Sequence, residues 1–152
     1  MAMAGRIPMA AAAATADTTD RLFEWRFGME THWQWRLRKA RELAAALDPG
    51  RFGVRALYVI GSTKNVAAGP ESDLDLVVHF AGSGEQRADL LAWFRDWDQR
   101  LVAENEARTG RRCDTILDLH LVSDEDVARR AGFAVRIGAV DDPAWPLPLG
   151  ET

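Results

Sequence analysis

The chain has 152 residues, of which 47% are hydrophobic and 28% charged, and this composition favours one folded domain over global disorder. Its 23 acidic and 19 basic side chains give a net charge of −4. This balance excludes a protein whose main function is to coat nucleic acid with a basic surface. The single cysteine, Cys113, excludes an internal disulfide and a cysteine-based zinc cluster. No apolar run reaches the roughly 18 residues of a membrane span, so we expect a soluble protein.

The first 19 residues are mostly alanine and other small residues. We expect a disordered tail over 1–19 and a single domain over 20–152. Arg6 before the alanine run resembles the start of a secretory signal, but alanine and methionine make a weak apolar core. The lone cysteine fits a reducing compartment, and we therefore expect a cytoplasmic location.

A helix is predicted to begin at Thr18, Thr19 or Asp20, where any of the three side chains could cap the first turn. One stripe of apolar side chains then recurs at steps of three and four: Leu22, Trp25, Met29, Trp33, Leu37, Ala40, Ala44 and Leu47. Gly28 is a position at which this helix could bend or divide, and Asp48-Pro49-Gly50 stops it.

The aromatic residues of this first helix have two interpretations. They are Phe23, Trp25, Phe27, Trp33 and Trp35. Core packing is the first interpretation, and an exposed patch for a partner protein or a stacked base is the second.

The remaining pattern alternates strands and helices. In chain order we predict strands over 54–60 and 74–80, a helix over 85–108 ended by Gly110, a strand over 113–122, a short helix capped by Ser123, and an irregular tail after Gly138. This order predicts an α/β (α+β) fold in which helices pack on a small mixed β-sheet.

Two aspartates, Asp73 and Asp75, stand where the second strand begins. Residues two apart on a strand face the same way, so both carboxylates should project together while Leu74 and Leu76 turn into the core. Two such carboxylates repel each other unless a cation lies between them. Mg²⁺, which prefers oxygen ligands and phosphates, is the natural candidate.

The first strand ends at Gly61-Ser62. A residue without a Cβ lets the backbone approach an anion, and the neighbouring N–H and hydroxyl groups can donate hydrogen bonds to phosphate oxygens. Lys64 could add a positive charge to the same triphosphate.

A third carboxylate is expected from the last predicted strand, where Asp118 lies between leucines. An aspartate in the middle of an apolar strand is costly to bury without a partner, so we predict that it joins the other two acids. His120 shares its face of the strand, and we interpret it as a packed or hydrogen-bonded histidine rather than a catalytic one.

Over residues 52–122 these features resemble the polymerase-beta-type nucleotidyltransferase superfamily, and the chain length is similar to that of its minimal members. The resemblance implies that Gly61 and Ser62 bind the triphosphate. It also implies that Asp73 and Asp75 ligate two Mg²⁺ ions.

The resemblance further implies that Asp118 holds one of these ions and helps to activate the nucleophile. Lys64 departs from the arginine that many minimal members carry there, which keeps a phosphate contact but loses planar bidentate geometry.

The leading hypothesis is therefore Mg²⁺-dependent transfer of a nucleoside monophosphate, AMP from ATP in the first instance, to an acceptor hydroxyl. The alternative is a non-catalytic, nucleotide-binding or antitoxin-like module that partners a HEPN-type toxin. A weaker similarity, over 118–126 and 137–140, is to nucleotidyltransferase modules that accompany phosphoenolpyruvate-synthase-like proteins, which implies a regulatory partner of a phosphotransfer enzyme. Transfer to a small molecule such as an aminoglycoside is a third alternative.

Overall fold

One mixed sheet of four strands organises the part of the chain that the computed structural model describes, residues 30–61 and 68–151. The strands are β1 (Val54–Ile60), β2 (Leu74–Phe80), β3 (Leu117–Val122) and β4 (Trp145–Leu147). Their order in the sheet is β3-β2-β1-β4. β1 runs antiparallel to both β2 and β4, whereas β2 and β3 are parallel. The predicted α/β fold with a mixed sheet is confirmed.

Helices connect the strands. They are α1 (His32–Ala46), α2 (Pro49–Phe52), α3 (Gly84–Thr109) and α4 (Asp124–Arg129), followed by a 3₁₀ helix (Gly132–Arg136). Within the described residues, no helix combines the length and the apolar character that crossing a membrane requires.

The two faces of the sheet carry different side chains. Alternate residues of β2, Leu74 and Leu76, are fully buried in the main core with the buried sides of α1 and α3. Val77 and Val122 lie on the opposite face in a smaller apolar cluster with Ala134 of the 3₁₀ helix. Asp75 and Asp118 alternate with the core residues and therefore lie on this second face.

The first helix begins later than predicted. Thr31 caps α1 by accepting a hydrogen bond from the N–H of Gln34, whose side chain accepts one in return from the N–H of Thr31. This capping box starts a new helix at residue 32, so a helix that continues through 30–31 is wrong. The predicted tail over 1–19 and the predicted helical start over 18–29 lie outside the described residues.

Trp33 and Trp35 belong to the core, as the first interpretation of the aromatic residues predicts. Trp35 is 1% exposed, and Trp33 packs against the same cluster. Phe23, Trp25 and Phe27 lie outside the described residues.

β3 is shorter than the predicted strand over 113–122. The N–H groups of Ile116 and Leu117 both donate to the carboxylate of Asp98 on α3, at 2.8 and 2.9 Å. A side chain thus takes the place of a strand partner where β3 starts.

The tail after Gly138 is not wholly irregular, which corrects the prediction. Trp145–Leu147 forms the edge strand β4 and pairs with residues 57–59 of β1. Pro146 lacks a backbone N–H, and an edge strand tolerates this because one side of it makes no strand hydrogen bonds.

Candidate active site

The parallel pairing of β2 with β3 sets Asp75 directly opposite Asp118. Both carboxylates lie on the sheet face that the main core leaves uncovered, with side chains 25% and 50% exposed, respectively. The cost of burying an aspartate in an apolar strand predicts that Asp118 joins the first acids, but Asp118 is half exposed. The register of the sheet brings it to Asp75.

His120 completes a group of three. Its Nε2 atom lies 3.7 Å from Oδ1 of Asp75 and 3.5 Å from Oδ2 of Asp118. One ligand atom from each residue fits within 4.8 Å of the others. The sequence places His120 on the face of Asp118 and predicts a packed or hydrogen-bonded histidine, but it does not predict that the ring reaches Asp75. The contact with Asp75 depends on the parallel register of β2 and β3, which the alternation within one strand does not specify.

The ring of His120 is also stacked. The ring of Phe133, in the 3₁₀ helix, lies over it with centroids 3.8 Å apart and planes 26° apart. The Phe133 ring therefore covers one face of the imidazole, while Nε2 lies near the two aspartates.

The two carboxylates interact strongly. Partial burial, the hydrogen bond to Asp118 and the negative charge of Asp118 together raise the pKa of Asp75 to about 6, although His120 lowers it. A proton or a cation bound between the carboxylate oxygens would stabilise this pair by reducing their repulsion.

Gly61 follows β1 and packs against this pair. Its φ is +82°, in the left-handed region, and a Cβ built there would lie 2.6 Å from Oδ2 of Asp75. Two features therefore favour glycine at this position: the left-handed backbone conformation and the close approach of the Asp75 carboxylate.

Asp73 is exposed and precedes β2, outside the group formed by Asp75, Asp118 and His120. Its negative charge contributes to the raised pKa of Asp75, although less than burial and Asp118 do. A role for Asp73 at the same cation remains a prediction. Ser62 and Lys64 lie outside the described residues, so their predicted phosphate contacts also remain predictions.

A buried arginine fixes the chain just before these aspartates. Arg36 of α1 is fully buried, and its guanidinium donates to the carbonyl oxygens of Pro70 and Ser72 at 3.1 and 3.0 Å. The buried side chain of Asn105, on α3, donates to the same Pro70 oxygen at 3.0 Å. The turn that leads into Asp73 and β2 is therefore held from two helices.

A family model described as a nucleotidyltransferase domain matches residues 37–115, more than half of the chain. The chain belongs to the nucleotidyltransferase domain family. A comparison with curated proteins found no match, and neither did a comparison with solved structures.

The matched range of this nucleotidyltransferase domain includes Gly61, Asp73 and Asp75 but ends before β3. Asp118 and His120 lie beyond it and reach the site only through the parallel pairing of β2 with β3. The site therefore includes two side chains, Asp118 and His120, that lie outside the range matched by the family model.

The donor set of Asp75, Asp118 and His120 fits a divalent cation. Two carboxylates and an imidazole present oxygen and nitrogen atoms to one space, and the shared negative charge is what a cation would neutralise. Asp75 and Asp118 are the residues that would hold it, with His120 beside them.

We expect Gly61→Ala to reduce nucleotidyl transfer by at least about tenfold, because the new methyl group would push the Asp75 carboxylate away from its partners. The left-handed backbone adds a stability cost of about 1–2 kcal/mol. Gly110→Ala is the matched control, since Gly110 has φ +75° and a Cβ added there would meet no heavy atom within 4 Å. Equal activity of the two variants in a pyrophosphate-release assay would contradict the assignment.

Proposed function

We propose that this nucleotidyltransferase domain transfers a nucleoside monophosphate, AMP from ATP in the first instance, to an acceptor hydroxyl in a Mg²⁺-dependent reaction. The observation that carries the proposal is the convergence of Asp75 and Asp118 beside Gly61, at the end of β1, in a chain of this family. A bound Mg²⁺ would supply Lewis-acid activation of the hydroxyl and charge neutralisation at the leaving pyrophosphate.

The residues of the chain would divide the remaining work. Asp75 and Asp118, together with Asp73 just before β2, would bind the cation on the exposed face of the sheet. Gly61, Ser62 and Lys64 follow β1 and bind the β- and γ-phosphates, so that the α-phosphorus is presented in line to the acceptor.

The bond changes are those of a displacement. The acceptor oxygen forms a bond to the α-phosphorus, and the bond from that phosphorus to the pyrophosphate breaks. The carboxylate of Asp118, half exposed beside Asp75, would receive the proton of the acceptor hydroxyl.

The proposal is tested by incubating the purified protein with ATP and Mg²⁺ in a cell extract. With label on the α-phosphate, we expect a labelled protein, nucleic acid or metabolite, together with free pyrophosphate. With label on the γ-phosphate, we expect no label on that acceptor beyond what the extract alone produces. Label from the γ-position in the acceptor would show phosphoryl transfer instead, and no α-labelled product at all would contradict the proposal.

A non-catalytic module that partners a HEPN-type toxin or a phosphotransfer enzyme remains the alternative prediction. Of the first-helix aromatics that would form its interface, Trp33 and Trp35 are taken up by the core. The cytoplasmic location also remains a prediction.

A further inference from the structure

We propose that His120 is a third metal ligand, which makes the Asp75–Asp118 pair a mixed nitrogen and oxygen site that binds first-row transition dications such as Co²⁺ and Zn²⁺ more tightly than Mg²⁺. The inference deepens the proposed function, because it concerns the cation at that same site. It assigns a role to a side chain that the family match does not reach.

The spacing of the three ligand atoms supports this donor set. Nε2 of His120 lies 3.5 Å from one oxygen of Asp118 and 3.7 Å from one of Asp75. Metal–ligand bonds of about 2.0–2.2 Å separate neighbouring ligand atoms of a tetrahedral site by roughly 3.3–3.6 Å. The two distances from the imidazole therefore lie close to this spacing, and all three ligand atoms lie within 4.8 Å of one another.

Preorganisation of the imidazole supports it too. Phe133 stacks on the ring, and His120 is only 18% exposed, so the histidine loses little freedom when Nε2 binds a cation. Phe133 itself is 44% exposed and has no other ring partner among the described residues.

Ligand chemistry then sets the selectivity. Mg²⁺ strongly prefers oxygen ligands, whereas imidazole is a good ligand for Co²⁺ and Zn²⁺, whose affinities also exceed those of earlier divalent ions for a given site. A nitrogen donor added to two carboxylates should therefore raise the affinity for transition ions much more than that for Mg²⁺.

The neighbouring strand histidine offers a matched control. His79 of β2 lies with Nε2 2.7 Å from Oδ1 of Asp124, an oxygen that the Nε of Arg55 also contacts at 2.7 Å. It is a mostly buried histidine on the same sheet, and its carboxylate partner is already engaged by a cationic side chain.

The test is a titration of the full chain with Co²⁺ and with Mg²⁺ in the absence of nucleotide, followed by calorimetry and by the visible absorption of Co²⁺. We expect the wild type to bind Co²⁺ at least about tenfold more tightly than Mg²⁺. His120→Asn should lose about tenfold or more of the Co²⁺ affinity and change the Co²⁺ spectrum, with a much smaller change for Mg²⁺. His79→Asn should match the wild type in both titrations.

A measurement on the wild type keeps the test valid if His120→Asn fails to fold. Pulsed electron paramagnetic resonance of bound Mn²⁺ should detect a coupled imidazole nitrogen. Absence of that coupling, or equal Co²⁺ affinity in wild type and His120→Asn, would overturn the assignment. Both readouts are made without ATP, so a protein that binds Co²⁺ through His120 but transfers no nucleotide would refute the proposed function alone.

Discussion

Asp75→Asn is expected to lower the rate of ATP-dependent pyrophosphate release by about 10²–10⁴-fold, because the substitution removes the charge that holds the cation while keeping the shape of the side chain. Asp75 is the residue on which the site converges, since Asp118, His120 and Gly61 all contact or closely approach it. Asp114→Asn, at an exposed aspartate outside this group, should leave the rate unchanged.

Measuring the stability of Asp75→Asn shows whether the loss of activity comes from the missing carboxylate or from a variant that does not fold. The pKa of Asp75 is raised to about 6 by burial and by Asp118, so the folded protein binds this proton more tightly than the unfolded chain does. Stability from this group is therefore present below about pH 4 and is lost as the pH rises through about 6. In the cation-free protein, we expect the asparagine variant to gain stability relative to the wild type as the pH rises from about 4 to about 7. A variant that retains full activity, or that is inactive because it melts lower at neutral pH, would contradict this account.

Arg36→Leu is expected to lower the free energy of unfolding by about 1–3 kcal/mol, because one half-buried carbonyl group loses its charged donor and a second keeps only the amide of Asn105. Those carbonyls belong to Pro70 and Ser72, in the turn before Asp73. Urea denaturation gives the measurement. Because this turn leads directly into Asp73 and β2, we also expect the variant to bind cations less tightly than the wild type.

Arg38→Leu is the control for this prediction. It lies two residues further along α1 and is 47% exposed, with ion pairs to Glu30 and Glu42. Exposed ion pairs contribute about 1 kcal/mol or less, so the control should remain close to the wild type. A loss of less than about 1 kcal/mol in Arg36→Leu would show that the turn does not depend on this arginine.

The sequence predicts helices and strands well where a periodic apolar pattern is bounded by turn or capping residues. The bounds of β1 and β2 are confirmed, because each strand is a run of β-branched and apolar residues closed by turn residues. α3 ends at Thr109, next to the predicted stop, since Gly110 adopts the left-handed conformation that terminates a helix. Near Thr31, a local capping box ended the continuity that the apolar stripe had predicted.

Long-range pairing could not be predicted in the same way. Nothing within β3 specifies that it runs parallel to β2 with Asp118 opposite Asp75, and the position of His120 follows from that register. The edge strand β4 was missed because Pro146, together with Pro143 and Pro148 on either side of the strand, signals irregular structure in isolation, whereas β1 supplies the partner. Arg36 stands beside the apolar stripe of α1, but its acceptors Pro70 and Ser72 lie far along the chain, and the sequence gives no sign of them.

A crystal structure of the protein with Mn²⁺ and a non-hydrolysable ATP analogue tests the central claim most directly. We predict an anomalous peak coordinated by the carboxylates of Asp75 and Asp118, with the triphosphate bound at the turn that begins at Gly61. A cation bound away from both aspartates, or a triphosphate on another surface, would contradict the assignment of this face of the sheet as the active site.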